Sequence, residues 1–431
     1  MKSKLVMLGV CCMVATLAPF ARGDEAAPDY KKLYEEQKKR SDELERRVSL
    51  LEEKDKAEPY VKVESIPEGT MSVLQQVDIS GFVSASYTHN FNQPSDRLNG
   101  GQLYDTQHDE FMLNKFVLIV QHAVDYDAFD WKAGFFVELI LGQDAISTRS
   151  KSPDTGAGLF NLGDNGDLEQ AYVAFNIPIG NGVKVLFGKY VTPIGYELVE
   201  NEQNPNWTSG NQWTFIEPFT HTGVQIGYQV NDQWEIQFLA NQGWDTVKDN
   251  NQSKSFMGHI NYTPNDKTWV GITVFAGPEQ SDALNDPANA VPGANGNWRN
   301  GVDLAMTHQC TAKLSTAWQL DWGEEEGGDP NGGTAAWYAG GLWLMYDLSE
   351  KLQAVVRADF LSDTEGNRTS GFLFPVNTGQ DLWSLTLTMN FKPSEGLRIA
   401  PEIRYDHSSL DTAFDGHEDQ VLTSIGAVFS F

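Results

Sequence analysis

Residues 417–431 read HEDQVLTSIGAVFSF and stop on an aromatic side chain. From Val421 the odd positions carry Val421, Thr423, Ile425, Ala427, Phe429 and Phe431; the even positions carry Leu422, Ser424, Gly426, Val428 and Ser430. A period of two with one greasy face describes a β-strand. In a soluble sandwich the greasy face would meet a core. In a barrel that crosses a bilayer it meets lipid, with its aromatics at the interface. The barrel reading makes three demands on the remaining sequence: a secretory signal, an even number of strands and no long apolar helix.

The chain has 431 residues, a formal net charge of −28 and 40% apolar residues. That is enough for a large core or a large barrel, yet the mean hydropathy is negative. Beyond the N-terminus there is no apolar run of the length a membrane helix requires. Strong acidity argues against nucleic acid as a partner. The first 23 residues have the three parts of a secretory signal: Lys2 and Lys4, an apolar stretch from Leu5 to Leu17, and the small-x-small site Ala21-Arg22-Gly23. Its removal takes Lys2, Lys4 and Arg22 and moves the formal charge from −28 to −31. Cys11 and Cys12 leave with it, so Cys310 is the one thiol kept and no intrachain disulfide is expected.

Residues 24–56 are expected to form a periplasmic coiled-coil segment. Its seam Leu44, Val48 and Leu51 is flanked by Glu and Arg suited to pairing between chains, and a trimer is expected from it. So short a coil is weak alone, so other contacts should support the oligomer. Peptidoglycan or another periplasmic component is the contact expected of this segment. Residues 57–75, with Pro59 and Pro67, read as a linker, and 76–431 as the barrel.

From Val77 onward, alternating segments recur near 77–91, 110–124, 129–144, 168–178, 183–195, 219–230, 233–244, 253–264, 267–278, 297–310, 312–325, 334–347, 351–363, 379–392, 396–408 and 417–431. These predict about sixteen antiparallel strands, an even number. Long connections such as 92–109, 145–167 and 196–218 alternate with short ones such as Asn231-Asp232 and Asn265-Asp266. A barrel with loops on one rim and turns on the other sorts its connections in this way. Several strands set ionised residues against an apolar face. Residues 396–408 place Arg398, Glu402, Arg404 and Asp406 opposite Leu397, Ile399, Ile403 and Tyr405. Such a face needs water behind it, because an unpaired polar group costs several kcal/mol in a dry core, and sixteen strands leave an aqueous channel. Two segments, 267–278 and 334–347, are apolar on both faces, which suits a subunit interface or a different register.

The third long connection, YELVENEQNPNWTSGNQWTFIEP at 196–218, holds Glu197, Glu200, Glu202 and Glu217 and no Lys or Arg. By analogy with sixteen-stranded barrels, it is expected to fold inward and narrow the lumen. Its carboxylates would then face the wall bases Lys132, Lys313, Arg357, Arg398 and Arg404 across a transverse field. Trp207 and Trp213 could offer ring faces to a sugar. Glu324, Glu325, Glu326 and Asp329 could hold a structural divalent cation; no other cofactor is expected.

The run Gly188-Lys189-Tyr190-Val191-Thr192-Pro193-Ile194-Gly195-Tyr196-Glu197, followed by Asn206, Pro218 and His221-Thr222-Gly223-Val224, resembles the OmpL-like β-barrel porin family of Gram-negative outer membranes. The similarity spans roughly Val77 to Phe431. It implies a porin-like barrel in the outer membrane; small hydrophilic solutes and lipid are the partners expected of it, and the N-terminal segment, expected in the periplasm, is not explained by this motif. The terminal Ser424, Gly426, Phe429 and Phe431 resemble the signal read by the outer-membrane assembly machinery. Net acidity predicts a weak preference for cations. A sugar-specific channel and an envelope tether anchored by the barrel are the alternatives. An enzyme is not expected: His221 and His308 stand in no nucleophile or metalloprotease motif.

Overall fold

The computed structural model describes residues 38, 76–127, 129–150, 165–370, 374 and 378–431. The expected signal peptide, the seam Leu44, Val48 and Leu51, and the linker lie outside them. The remainder builds sixteen strands: β1 (Asp78–Asn90), β2 (Glu110–His122), β3 (Lys132–Leu141), β4 (Gly166–Ile177), β5 (Val183–Val191), β6 (Thr220–Asn231), β7 (Trp234–Asn241), β8 (Ser255–Asn265), β9 (Thr268–Pro278), β10 (Trp298–Gln309), β11 (Leu314–Glu325), β12 (Ala335–Ser349), β13 (Leu352–Asp363), β14 (Gln380–Ser394), β15 (Leu397–Ser408) and β16 (Asp419–Ser430). Each pairs with its chain neighbours, and β1 closes on β16, giving one closed antiparallel barrel. The closing seam ends on Phe431, whose N–H and C=O bond reciprocally to Gly81 at 2.9 and 3.1 Å. Closure leaves no edge strand to template further pairing.

Alternation decides which side chain faces which solvent. Along β14, Trp383, Leu385, Leu387 and Phe391 are exposed on the outside, while Ser384, Thr386, Thr388 and Asn390 are buried on the inside. The same inversion holds for β15 and β16. Every strand exposes at least one large apolar side chain, from Ile79 on β1 to Phe429 on β16. A continuous apolar belt around a polar interior is stable in lipid and would be a liability in water. No helix among the described residues is long and apolar enough to cross a membrane.

The long connections gather at one rim and the short turns at the other, with both barrel ends at the short-turn rim. The β2–β3 turn, 123–131, is longer than the sequence pattern suggested. Lys313 lies exposed in the β10–β11 turn, one residue before β11, and not on the wall as expected.

The two segments apolar on both faces have an internal explanation. Trp337 and Ala339 of β12 point inward and pack with Phe215 and Ile216 of the short helix α1 (Asn211–Ile216). Phe275 of β9 packs with Leu239, Met257, Trp244 and Ile194. Their second apolar face meets a loop that has entered the barrel.

Candidate functional site: the third loop and the lumen wall

The third long loop, L3 (residues 192–219), enters at the long-loop rim. Gly195 makes the entry possible: its φ of +91° is the left-handed region, and an added Cβ would lie 1.9 Å from Glu217 Oε2. From its deepest point near Arg398, L3 climbs back along β15 toward the long-loop rim. Arg404 Nη2 donates to Asn211 Oδ1 at 3.2 Å. Glu402 accepts from the Trp207 and Thr208 N–H groups at 2.7 and 3.1 Å. Arg398 Nη1 donates to the Asn204 and Glu202 carbonyls at 2.6 and 3.2 Å. From Arg398 to Arg404 is about 20 Å of strand at ~3.3 Å per residue, so L3 runs deep into the lumen.

The central clamp is Arg357 on β13, which is fully buried. It pairs with Glu197 of L3 at 2.8 Å and with its strand neighbour Asp359 at 3.1 Å. Glu197 also accepts the Gly210 N–H at 2.6 Å, and Asp359 accepts the Asn211 N–H at 3.1 Å. Thr388 links Glu402 to Asn206, and Asn390 Nδ2 donates to the Pro205 carbonyl at 2.7 Å. Backbone carbonyls that would be orphaned in a structureless loop are thus taken up by guanidinium donors, which suit the task because their donors lie in a fixed plane.

The expected wall arginines are therefore present, but in contact with L3 instead of opposing it across water. Lys132 faces inward near the short-turn rim and pairs with Asp127 at 2.5 Å. Glu217 meets Gln319 at 2.6 Å, not a base, and burial with the nearby Asp321 and Asp303 carboxylates holds it well above the usual carboxylate range. Glu200 lies beside Gln170, 3.4 Å away. Burial first, and then Glu200, pushes Glu202 up to about 7.

The two tryptophans expected to stack on solutes are 1% exposed each and pack the loop. Trp207 lies flat on the closing strand, its ring 2.1–2.2 Å from where a Cβ on Gly426 would stand. Trp213 sits between Tyr104 and Phe219 at 5.3 and 4.8 Å. Nor do Glu324, Glu325, Glu326 and Asp329 converge. Glu325 points inward in a bidentate pair with Arg299 at 2.8 and 3.0 Å; Glu326 accepts from Trp298 N, and Asp329 caps its own turn. His221 is buried between the Gly243 carbonyl and Thr192 Oγ1, bracing the loop exit, and His308 bonds Thr268 at the other rim.

Residues the sequence reading passed over complete the site. Glu402 and Asp359 are the carboxylates that dock L3. On the other flank, Lys115 of β2 donates to the Val199 carbonyl at 2.9 Å with its ammonium over the Tyr104 ring. Glu138 and Glu169 face the same space. The alternation already put Glu402 on one face with Arg398 and Arg404; that was the available signal.

L3 leaves space on the opposite wall. A cavity of about 370 Å³ lies between its first leg and strands β4–β9, bordered by Tyr172, Tyr196, Gln225, Gln237 and Trp269. A second, of about 570 Å³, opens at the short-turn rim between Glu202, Arg398, Lys351 and Lys392.

The family profile described as "Putative beta-barrel porin-2, OmpL-like" matches residues 76–431, the whole barrel. The chain belongs to this porin family. Solved structures share the fold at low identity. OprB of Pseudomonas putida matches with a TM-score of 0.56 at 10% identity, over 84% of this chain and 96% of that one. An anion-selective porin from Comamonas acidovorans gives 0.53 at 11%, over 82% and 99%. A trimer form of OmpT, an outer membrane protein of Vibrio cholerae, gives 0.51 at 10%, over 82% and 99%. No curated protein matches this chain. The family match places the chain among outer-membrane porin barrels.

Proposed function

We propose that the chain forms a water-filled channel for passive diffusion of small hydrophilic solutes and ions, with L3 narrowing the lumen and a weak preference for cations. One observation carries the selectivity reading: the wall arginines Arg357, Arg398 and Arg404 are spent on L3 and on Glu197, Asp359 and Asp406. Carboxylates at hydrogen-bond distance compensate Arg357 and Arg404, and L3 carbonyls occupy Arg398, which leaves these groups little field for a passing anion. The partly exposed L3 carboxylates Glu200 and Glu202 then bias the remaining lumen, with Lys115 among the bases near them.

The long-loop rim is assigned to the cell exterior and the short-turn rim to the periplasm, as is usual for outer-membrane barrels. The N-terminal segment then lies in the periplasm, and Phe431 is available to the assembly machinery. A homotrimer is proposed from the seam at Leu44, Val48 and Leu51 and the trimeric form of the Vibrio cholerae barrel. Conductance of the full-length protein in planar bilayers under a KCl gradient tests the reading. Discrete steps with a reversal potential on the potassium side are expected. A chloride-side potential overturns the selectivity, and a folded barrel without steps overturns the channel.

A further inference from the structure

The wall that L3 leaves open differs chemically from the wall it covers, and a subsite on it rests on the channel proposed for this barrel. Around the cavity of about 370 Å³ the lining is rings and amides: Tyr172, Trp269, Gln225, Gln237 and Asn261, with His259 among them. No Lys or Arg borders it. These groups are chained together. Gln225 Nε2 donates to Gln237 Oε1 at 2.7 Å, Trp269 Nε1 to Asn261 Oδ1 at 2.9 Å, and Asn261 Nδ2 to Glu235 at 3.0 Å. His259 is fixed between Thr273 Oγ1 at 2.8 Å and Asn261 Oδ1 at 3.0 Å. The chain holds the Trp269 ring and the amides in set orientations. A primary amide has two donors and two acceptor lone pairs, so Gln225 and Gln237, with one bond each, leave capacity for a guest. Tyr190 borders the same cavity, and its buried hydroxyl has no hydrogen-bond partner among the described residues.

We infer that this cavity is a subsite for small neutral polyhydroxylated solutes, of the mono- or disaccharide class. A sugar presents a C–H face that packs on an aromatic ring and a rim of hydroxyls that both donate and accept, which matches rings interleaved with amides. An anion meets no cation on this lining. The volume falls within the roughly 300–1,000 Å³ of small-molecule sites.

The test uses full-length protein in planar bilayers with maltose as the probe, gluconate as a charged counterpart and polyethylene glycol as a viscosity control. Each variant is referred to its own maltose-free conductance, and its folding is checked by heat-modifiable mobility. Saturable block by maltose is expected, with gluconate much weaker. Trp269→Ala and Gln237→Ala should each raise the half-blocking concentration tenfold or more. A decrease that only follows viscosity, or a half-blocking concentration unmoved by Trp269→Ala, overturns the subsite. Absence of KCl steps before any maltose is added overturns the channel reading instead. Intrinsic fluorescence of the detergent-folded protein titrated with maltose then decides the subsite by itself: no saturable change dependent on Trp269 sinks it.

Discussion

Two walls of one barrel have been put to opposite uses. On β13–β15 the inward face is ionised, and most of its charges are committed to L3: Arg357 to Glu197, Glu402 to the Trp207 and Thr208 amides, Arg398 to the Asn204 carbonyl. Beside β4–β9 space remains, and the lining of that space, among the described residues, carries amides and rings but no Lys or Arg. Inward-facing charge on a strand therefore does not by itself locate the path of a solute. Here the densest charge marks where the lumen is filled, because a loop with many orphan carbonyls and N–H groups needs ionic partners to enter a barrel.

The largest way to break this contrast is Arg357→Ala. It leaves Glu197 and Asp359 buried without their cation, a loss of about 3–5 kcal/mol for breaking such a pair. Urea titration followed by heat-modifiable mobility should show it, and single-channel conductance should rise as L3 loosens. Gly426→Val comes next. A side chain there collides with the Trp207 ring, and overpacking of this kind costs about 1–3 kcal/mol; the same two assays apply.

Acidification sharpens the contrast by acting on a carboxylate of L3 with which no arginine among the described residues pairs. Glu202 sits at about 7, raised by burial and by Glu200. A carboxyl raised in the fold destabilises it when ionised, so that cost is relieved as pH falls through about 7. The same protonation removes negative charge from the lumen. Reversal potentials between pH 8 and 5 should therefore show the potassium preference declining with a midpoint near 7, and Glu202→Gln should flatten that curve. The smallest effect belongs to Lys313→Ala. Its exposed turn position predicts a stability change within about ±0.5 kcal/mol and an unchanged reversal potential.

Much of the fold was legible. The period-two pattern placed all sixteen strands within a few residues and assigned their faces, because lipid outside and polar groups inside impose one strict alternation. Glu197 and Arg357 were legible as opposite charges on a loop and a wall, but as a field across water and not as the 2.8 Å pair they form. What the pattern could not carry was the course of L3. Contacts such as Arg398 with Asn201, 197 residues apart, leave no local periodicity. Trp207 and Trp213 therefore looked available to solutes although they pack the loop. The doubly apolar strands β9 and β12 looked like an interface although their second face meets buried rings from within. A strand's alternation says which side a residue faces; it does not say what fills that side.

The central claim is that L3 lies docked along β13–β15. The most direct test replaces Asn206 and Thr388, whose side chains meet at 2.6 Å, with cysteines in a Cys310→Ser background. Mild oxidation should cross-link them almost completely, with conductance the same before and after reduction, since the bond only records where the loop already is. Failure to cross-link in the folded barrel, or a conductance that changes when the bond is reduced, would contradict a docked L3.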